Sequence, residues 1–179
     1  EVTGDISPNM KKLQAWKNSV VNKLTGGVNT LLKANGVEQM MGTARLIAAD
    51  TVSVTTPDGE QTITAEAIVI ATGSTPIEIP GFSYSDERIL DSTKALALDH
   101  IPEQLVVIGG GYIGLEMGMM LSKIGSSVHV VEMADHVMPN FDPDVVKVVA
   151  KKMKKQKMTT YTNAKALGWE EGEGKALVN

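Results

Sequence analysis

The run VVIGGGYIGLEMG, Val106 to Gly118, carries the residues with the clearest chemical use in this chain. Gly109, Gly110, Gly111, Tyr112, Ile113 and Gly114 fit the pattern GxGxxG, between an apolar run that reads as a strand and a segment that reads as a helix. Gly109 permits a tight turn. Gly111 lets the backbone approach a pyrophosphate with no Cβ in the way, and Gly114 lets the helix lie close on the strand. The helix start offers unpaired N–H groups and a partial positive charge to phosphate oxygens. Glu132 stands eighteen positions beyond Gly114, at the end of the next apolar run, SVHVVE. An acid at that place accepts hydrogen bonds from an adenosine ribose and repels a 2′-phosphate. No arginine follows it, and Lys147 is the first basic residue other than histidine. The pattern therefore favours NAD over NADP. The glycine turn alone admits FAD as well, and a solvated acid at a strand end is the plain alternative for Glu132.

Such a turn needs a strand–helix–strand frame, and the periodicities supply one. QLVVIG, from Gln104, reads as a buried strand, Tyr112 to Ile124 as a helix closed by Gly125, and SVHVVE as the next strand. Asp142 to Lys157 reads as a second helix, with acids at its start and lysines at its end as the helix dipole favours. MTTYT is expected as a third parallel strand and KALGWEEGEGKALV as a hairpin around Gly172 to Gly174. A sheet of this kind ending at Asn179 is expected to be unfinished, as in a fragment. Upstream, Met10, Leu13, Val20, Val21, Leu24, Val28, Leu31 and Leu32 predict a helix over Pro8 to Asn35. Ser7 or Asp5 would cap it, Gly26 and Gly27 mark a kink or a close contact, and Gly36 stops it. VEQMMG, ARLIA, TVSVTT and QTITA read as a meander of short strands, with PDGE turning between the last two. AIVIATG, Ala67 to Gly73, reads as a strand covered on both faces. STPIEIPGF follows as a connector, and DSTKALAL as a short helix capped by Ser92 or Asp91. The fold class is thus α/β: a Rossmann-like parallel sheet, preceded by a helix and a β-meander.

An apolar content of 42% suits a packed core, and a net charge of −4 argues against nucleic acid, which needs a basic face. No apolar run reaches the roughly 18 residues of a membrane span. The opening EVTGDISPN has no signal-peptide pattern. Cysteine is absent, so the chain holds no disulfide, thiolate nucleophile or cysteine-ligated metal. His100, His129 and His136 are scattered, and no metal site is expected. KKMKKQK, from Lys151, reads as a solvated helix face, the methionines as core fillers, Trp16 as helix-core packing, Asp135 as a loop residue and Trp169 as half-exposed.

VVIGGGYIGLEMG and VVEMADHVMP together resemble the NAD-binding domain of the dihydrolipoamide dehydrogenases, flavin-dependent members of the pyridine nucleotide-disulfide oxidoreductase family. NKLTGGV (from Asn22), AIVIATGSTP and ILDSTKALALDHIPEQLVVIGGG (from Ile89) resemble the same family in the same order. LTGG and DSTKAL favour this group over the glutathione-reductase relatives, which use NADPH. The resemblance covers nearly the whole chain. It implies residues 1–90 as the later part of an FAD-binding domain and 91–179 as an NAD-binding domain incomplete at its end. Gly109 to Glu116 would wrap the NAD pyrophosphate, with Glu116 near the nicotinamide, Glu132 on the ribose and Ala166 beside the adenine. Tyr112 matches a position that serves in some relatives as a lid over the flavin. Gly42, Thr72, Gly73 and Ser74 match positions that pass FAD.

The family's own FAD glycine motif, redox-active CxxxxC and His–Glu pair have no counterpart here. The resemblance therefore implies an internal fragment with no catalytic residue of its own and no turnover alone. The whole enzyme oxidises protein-bound dihydrolipoamide and passes hydride through a disulfide and a flavin to NAD. Implied partners are lipoyl domains of 2-oxo acid dehydrogenase complexes, in a homodimeric protein of the cytoplasm or, in eukaryotes, the mitochondrial matrix. A related disulfide or mercuric reductase, and a non-catalytic dinucleotide-binding module, stay open as alternatives.

Overall fold

Asn9 begins the first helix: its carbonyl accepts from Leu13 N–H at 3.0 Å and its Oδ1 from Lys12 N–H at 2.9 Å. The computed structural model describes residues 7–172 and 175–179. The cap is therefore Asn9, one residue beyond Pro8, and not Ser7; Asp5 lies outside the described residues. Helix α1 spans Met10–Ala34. Gly36, at φ 67°, ends it: Gly36 N–H reaches Lys33 O and Val37 N–H reaches Leu32 O, the paired bonds of a left-handed C-terminal cap. The helix runs unbroken through Gly26 and Gly27, and a Cβ at either would meet nothing within 4 Å. Neither glycine marks a kink or a tight contact. The expected apolar stripe is present but exposed, with Leu24 and Leu31 near two-thirds accessible, and Trp16 is exposed rather than in a core.

The chain folds as two compact units, Lys17–Thr75 and the pair of segments Glu1–Trp16 with Pro76–Asn179. In the first unit, strands β1 (Thr43–Ala48), β2 (Thr51–Thr56) and β3 (Gly59–Thr64) form an antiparallel sheet in sequence order. Pro57 and Asp58 make the turn, with Thr56 paired to Gly59. VEQMMG is not a strand: Gly42 lies so near β2 that a Cβ there would collide with the Thr55 carbonyl, and β1 begins only at Thr43. Ser53 and Val54 on the central strand are buried, and Ser53 Oγ donates to the Glu60 carboxylate. AIVIATG is the larger departure. Residues 67–73 belong to no strand, and Val69 and Ile70 are 87% and 75% exposed. Strand propensity needs a neighbouring ladder to act on, and none meets this run among the described residues.

The second unit contains the parallel frame. Helix α2 (Ser92–Leu96) is capped by Asp91, whose Oδ1 accepts from Lys94 N–H at 2.7 Å. Gln14 Nε2 donates to Leu96 O and Leu98 O at 3.0 and 2.8 Å, tying the first turns of α1 to the end of α2. Strand β4 (Gln104–Ile108), helix α3 (Tyr112–Lys123), strand β5 (Ser127–Val131), helix α4 (Pro143–Lys155) and strand β6 (Thr159–Tyr161) follow, with β4, β5 and β6 parallel in that order. β4 is an edge strand and only half-buried, short of the full burial its composition suggests. Asp142 caps α4 through Asp144 N–H. Strands β7 (Trp169–Gly172) and β8 (Lys175–Val178) pair antiparallel as the expected hairpin; its tip, Glu173 and Gly174, lies outside the described residues. Arg88 stands 5.6 Å over the half-buried Trp169 ring and pairs with Glu171 at 2.5 Å.

The core gathers Leu115, Val128, Val130, Val146, Met153 and Met158, joined by Val137 and Met138 from the loop after β5. Met138, Met153 and Met158 fill this core as expected, whereas Met41 and Met133 are exposed. Lys151, Lys152, Lys154 and Lys155 point to solvent around buried Met153, as expected of a solvated face. Gly118 lets α3 settle on the sheet: a Cβ there would sit 3.1 Å from Met158 Cε and 3.2 Å from Val128 Cγ1. Two glycine replacements should therefore act with opposite sign. Gly118→Val is expected to cost about 1–3 kcal/mol by overpacking. Gly26→Ala, open on all sides, is expected to add about 1 kcal/mol of helix stability. Urea unfolding of both variants checks this, and a common sign would contradict the packing described.

Candidate dinucleotide-binding site

The strand-to-helix turn sits where the sequence puts it, between β4 and α3. Gly109 has φ 91°, in the left-handed region open to glycine, and its N–H extends the parallel ladder by donating to Val131 O at 2.8 Å. Gly110 is buried; a Cβ there would lie 2.9 Å from Val137 Cγ1 and 3.1 Å from Glu132 Oε2. Gly111 faces the other way, and a Cβ there would meet nothing within 4 Å. Gly114 would bring a Cβ to 2.7 Å from Val107 Cγ1, so its lack of a side chain is what seats α3 on β4. Gly109 makes the tight turn and Gly114 the close helix–strand packing that the pattern assigns, while Gly111 leaves open space. Gly110, which GxGxxG leaves as any residue, proves the most tightly enclosed of the first three.

Gly111 is the N-cap of α3, and no side chain caps the helix there. The first-turn N–H groups are left for an outside acceptor, on the open side of Gly111. An anion gains there from the donors and from the helix dipole together. The residues present therefore fit a phosphate: an uncapped helix start of twelve residues, on a turn with space where the ligand would lie.

Glu132, one residue past the end of β5, uses both carboxylate oxygens on the backbone. Oε2 accepts from Gly110 N–H at 2.6 Å and Oε1 from Ala134 N–H at 2.7 Å. Its own N–H donates to Tyr161 O and its carbonyl accepts from Ala164 N–H. The acid thus ties the glycine turn to the end of β5 and to the loop after β6. Each oxygen keeps a lone pair for a further donor such as a hydroxyl.

The other expected residues are spread around this centre. Tyr112 and Ile113 are exposed on the first turn of α3, with the Tyr112 ring edge-on to Phe141 at 6.3 Å. Glu116 is exposed one turn further on. Ala166 is buried two positions past Ala164, which bonds to Glu132. Gly42 lies in the meander unit, where the Thr55 carbonyl alone accounts for a glycine. Thr72, Gly73 and Ser74 are exposed and lie in no helix or strand, with Gly73 at φ 77°. His100 pairs with Asp99 at 2.8 Å, which lowers the Asp99 pKa, His129 stacks on Tyr161, and His136 Nδ1 lies 2.9 Å from Val137 O. Among the described residues no His, Asp and Glu cluster could hold a metal ion, and no helix is long and apolar enough to cross a membrane.

A family model described as pyridine nucleotide-disulphide oxidoreductase matches residues 2–178. The chain belongs to that family. Dihydrolipoyl dehydrogenase from Geobacillus stearothermophilus is 46% identical over 169 residues, and the enzymes of that name from Bacillus subtilis and Haloferax volcanii are 45% and 42% identical. Each alignment takes in at least 93% of this chain but 36% of the relative, so the chain spans about a third of their length. Among solved structures, LpdA from Mycobacterium tuberculosis superposes with a TM-score of 0.86 at 25% identity, over 98% of this chain and 40% of that one. The HOCl-induced flavoprotein disulfide reductase RclA from Escherichia coli gives 0.80 at 28% identity, over 94% and 38%.

Because Glu132 satisfies two backbone donors without any ligand, its loss should show in ligand-free protein. Glu132→Ala is expected to destabilise the chain by about 1–3 kcal/mol, and Glu132→Gln by less, since one acceptor oxygen remains. Denaturant titration in the absence of nucleotide reads this directly. Equal stability of all three proteins would show that the carboxylate does not hold the turn.

Proposed function

We propose that this chain is the NAD-binding portion of a flavoprotein of the dihydrolipoyl dehydrogenase type. The observation that carries the reading is the uncapped start of α3 at Gly111, with the Glu132 carboxylate fixed beside it. Backbone N–H groups of Gly111, Tyr112, Ile113 and Gly114 would hold the pyrophosphate, with Gly109 and Gly110 shaping the turn, and Glu132 would hold the adenosine ribose. Ala166 would border the adenine and Glu116 the nicotinamide. Bound there, NAD would supply a hydride acceptor; the chain's own residues would bind and orient it. Support for NAD over NADP comes from the Glu132 charge and from the absence of any arginine after it. The identity of 46% with a dihydrolipoyl dehydrogenase, against 28% with RclA, supports the lipoyl-linked member of the family.

In the whole protein the reaction would be oxidation of protein-bound dihydrolipoamide, with lipoyl domains of 2-oxo acid dehydrogenase complexes as partners and a homodimer as the working form. FAD would pass Gly42, Thr72, Gly73 and Ser74. The chain has no cysteine, so thiol–disulfide exchange has no nucleophile within it. We therefore expect nucleotide binding without turnover.

Calorimetric titration with NADH and NADPH tests the reading. NADPH is expected to bind about tenfold or more weakly, because its 2′-phosphate meets the Glu132 carboxylate. Equal affinities would remove the role given to Glu132, and no binding of either would remove the site. The same protein mixed with dihydrolipoamide and NAD is expected to form no NADH, followed by absorbance; steady NADH formation would overturn the expectation of inactivity.

A further inference from the structure

Val137 and Met138, in the loop after β5, are both buried against the glycine turn. Met138 N–H donates to Gly110 O at 2.8 Å, and the Val137 side chain fills the space beside the Gly110 Cα. Met138 holds φ 54°, a left-handed conformation that a side-chain-bearing residue adopts only against a steric cost. Burial of its side chain in the core sets that cost against a gain.

The bond has a directional consequence. The carbonyl of Gly110 and the N–H of Gly111 belong to one trans peptide plane, so they point in opposite directions. With the carbonyl drawn in to Met138, the Gly111 N–H is turned away from Met138 and the core behind it. Rotation of this plane would present a carbonyl oxygen to an incoming phosphate instead of a donor. Glycines flank the plane on both sides, so side-chain sterics do little to prevent that rotation.

We propose that Met138, seated by Val137, is a positioning residue: its backbone N–H latches the Gly110–Gly111 peptide so that Gly111 N–H faces the pyrophosphate. This rests on the dinucleotide reading of the site. The latch separates two tasks on neighbouring peptides. Glu132 fixes the Gly110 N–H, and Met138 fixes the Gly110 carbonyl and thereby aims the next donor.

The clean perturbation replaces the 138 peptide N–H by an ester oxygen, using the α-hydroxy analogue of methionine and leaving the side chain in place. The same analogue at Met158, whose N–H donates to Met153 O at 3.1 Å away from the turn, controls for general weakening of the fold. NADH affinity is measured by titration of the unmodified chain and both esters under conditions where all three are folded. The 138 ester is expected to bind NADH about fivefold more weakly, with the 158 ester within about twofold of the unmodified chain. Unmodified affinity in the 138 ester, or equal losses in both esters, would overturn the latch while leaving the dinucleotide site standing. Failure of the unmodified chain to bind NADH would overturn the site and the latch together.

Discussion

The hydrogen bonds around Gly110 are the constraint on which the rest of the site depends. Its N–H is taken by Glu132, its carbonyl by Met138 N–H, and the space beside its Cα by Val137. A glycine-rich turn is otherwise among the least determined pieces of backbone, since each glycine has the widest choice of φ and ψ and loses the most entropy on ordering. Anion binding by backbone amides works only if those amides already point one way, because reorganising them would consume the interaction energy. Fixing one residue on three sides settles the peptide planes before and after it. The donors that follow can then serve a ligand.

Glu132 acquires two roles from this arrangement, and they reinforce one another. As an acceptor for Gly110 and Ala134 it joins the end of β5 to the turn. Each such charge-assisted bond outweighs a neutral one and holds the carboxylate in a single orientation. A carboxylate held by two backbone donors has a fixed orientation, which is what the proposed reading of a ribose requires. On that reading, discrimination and rigidity would come from one side chain.

The parallel frame was legible in the sequence because its determinants are local. Asp91 and Asp142 cap the helices that their positions suggest, Gly36 and Gly125 close helices at positive φ, and the apolar runs at 104–108 and 127–131 pair as parallel neighbours. The glycine pattern located the turn, with the tight bend at Gly109 and the close helix packing at Gly114. It gave no hint of Val137 and Met138. An apolar pair in a loop has no periodicity, and nothing in the residue types distinguishes a backbone donor aimed at Gly110 from one aimed at water. Asn9 was missed as a cap because three polar residues at the chain's start compete for one geometry, and only the bond from Lys12 N–H decides among them.

The strand expected at AIVIATG and the exposed stripe of α1 share a different cause. AIVIATG and the stripe Val20, Leu24, Val28 and Leu31 have the composition of covered surfaces, and composition states what a segment wants to bury without saying against what. A strand is a relation between two segments, so an apolar run becomes one only where a partner ladder exists. A turn at a helix start differs in kind: its strand, helix and acid all lie within residues 104–134, and the latch from Met138 follows four residues later. The proposed dinucleotide grip therefore draws only on this one local stretch of backbone. Positions such as Thr72, Gly73 and Ser74 take their meaning from groups beyond their own stretch of backbone.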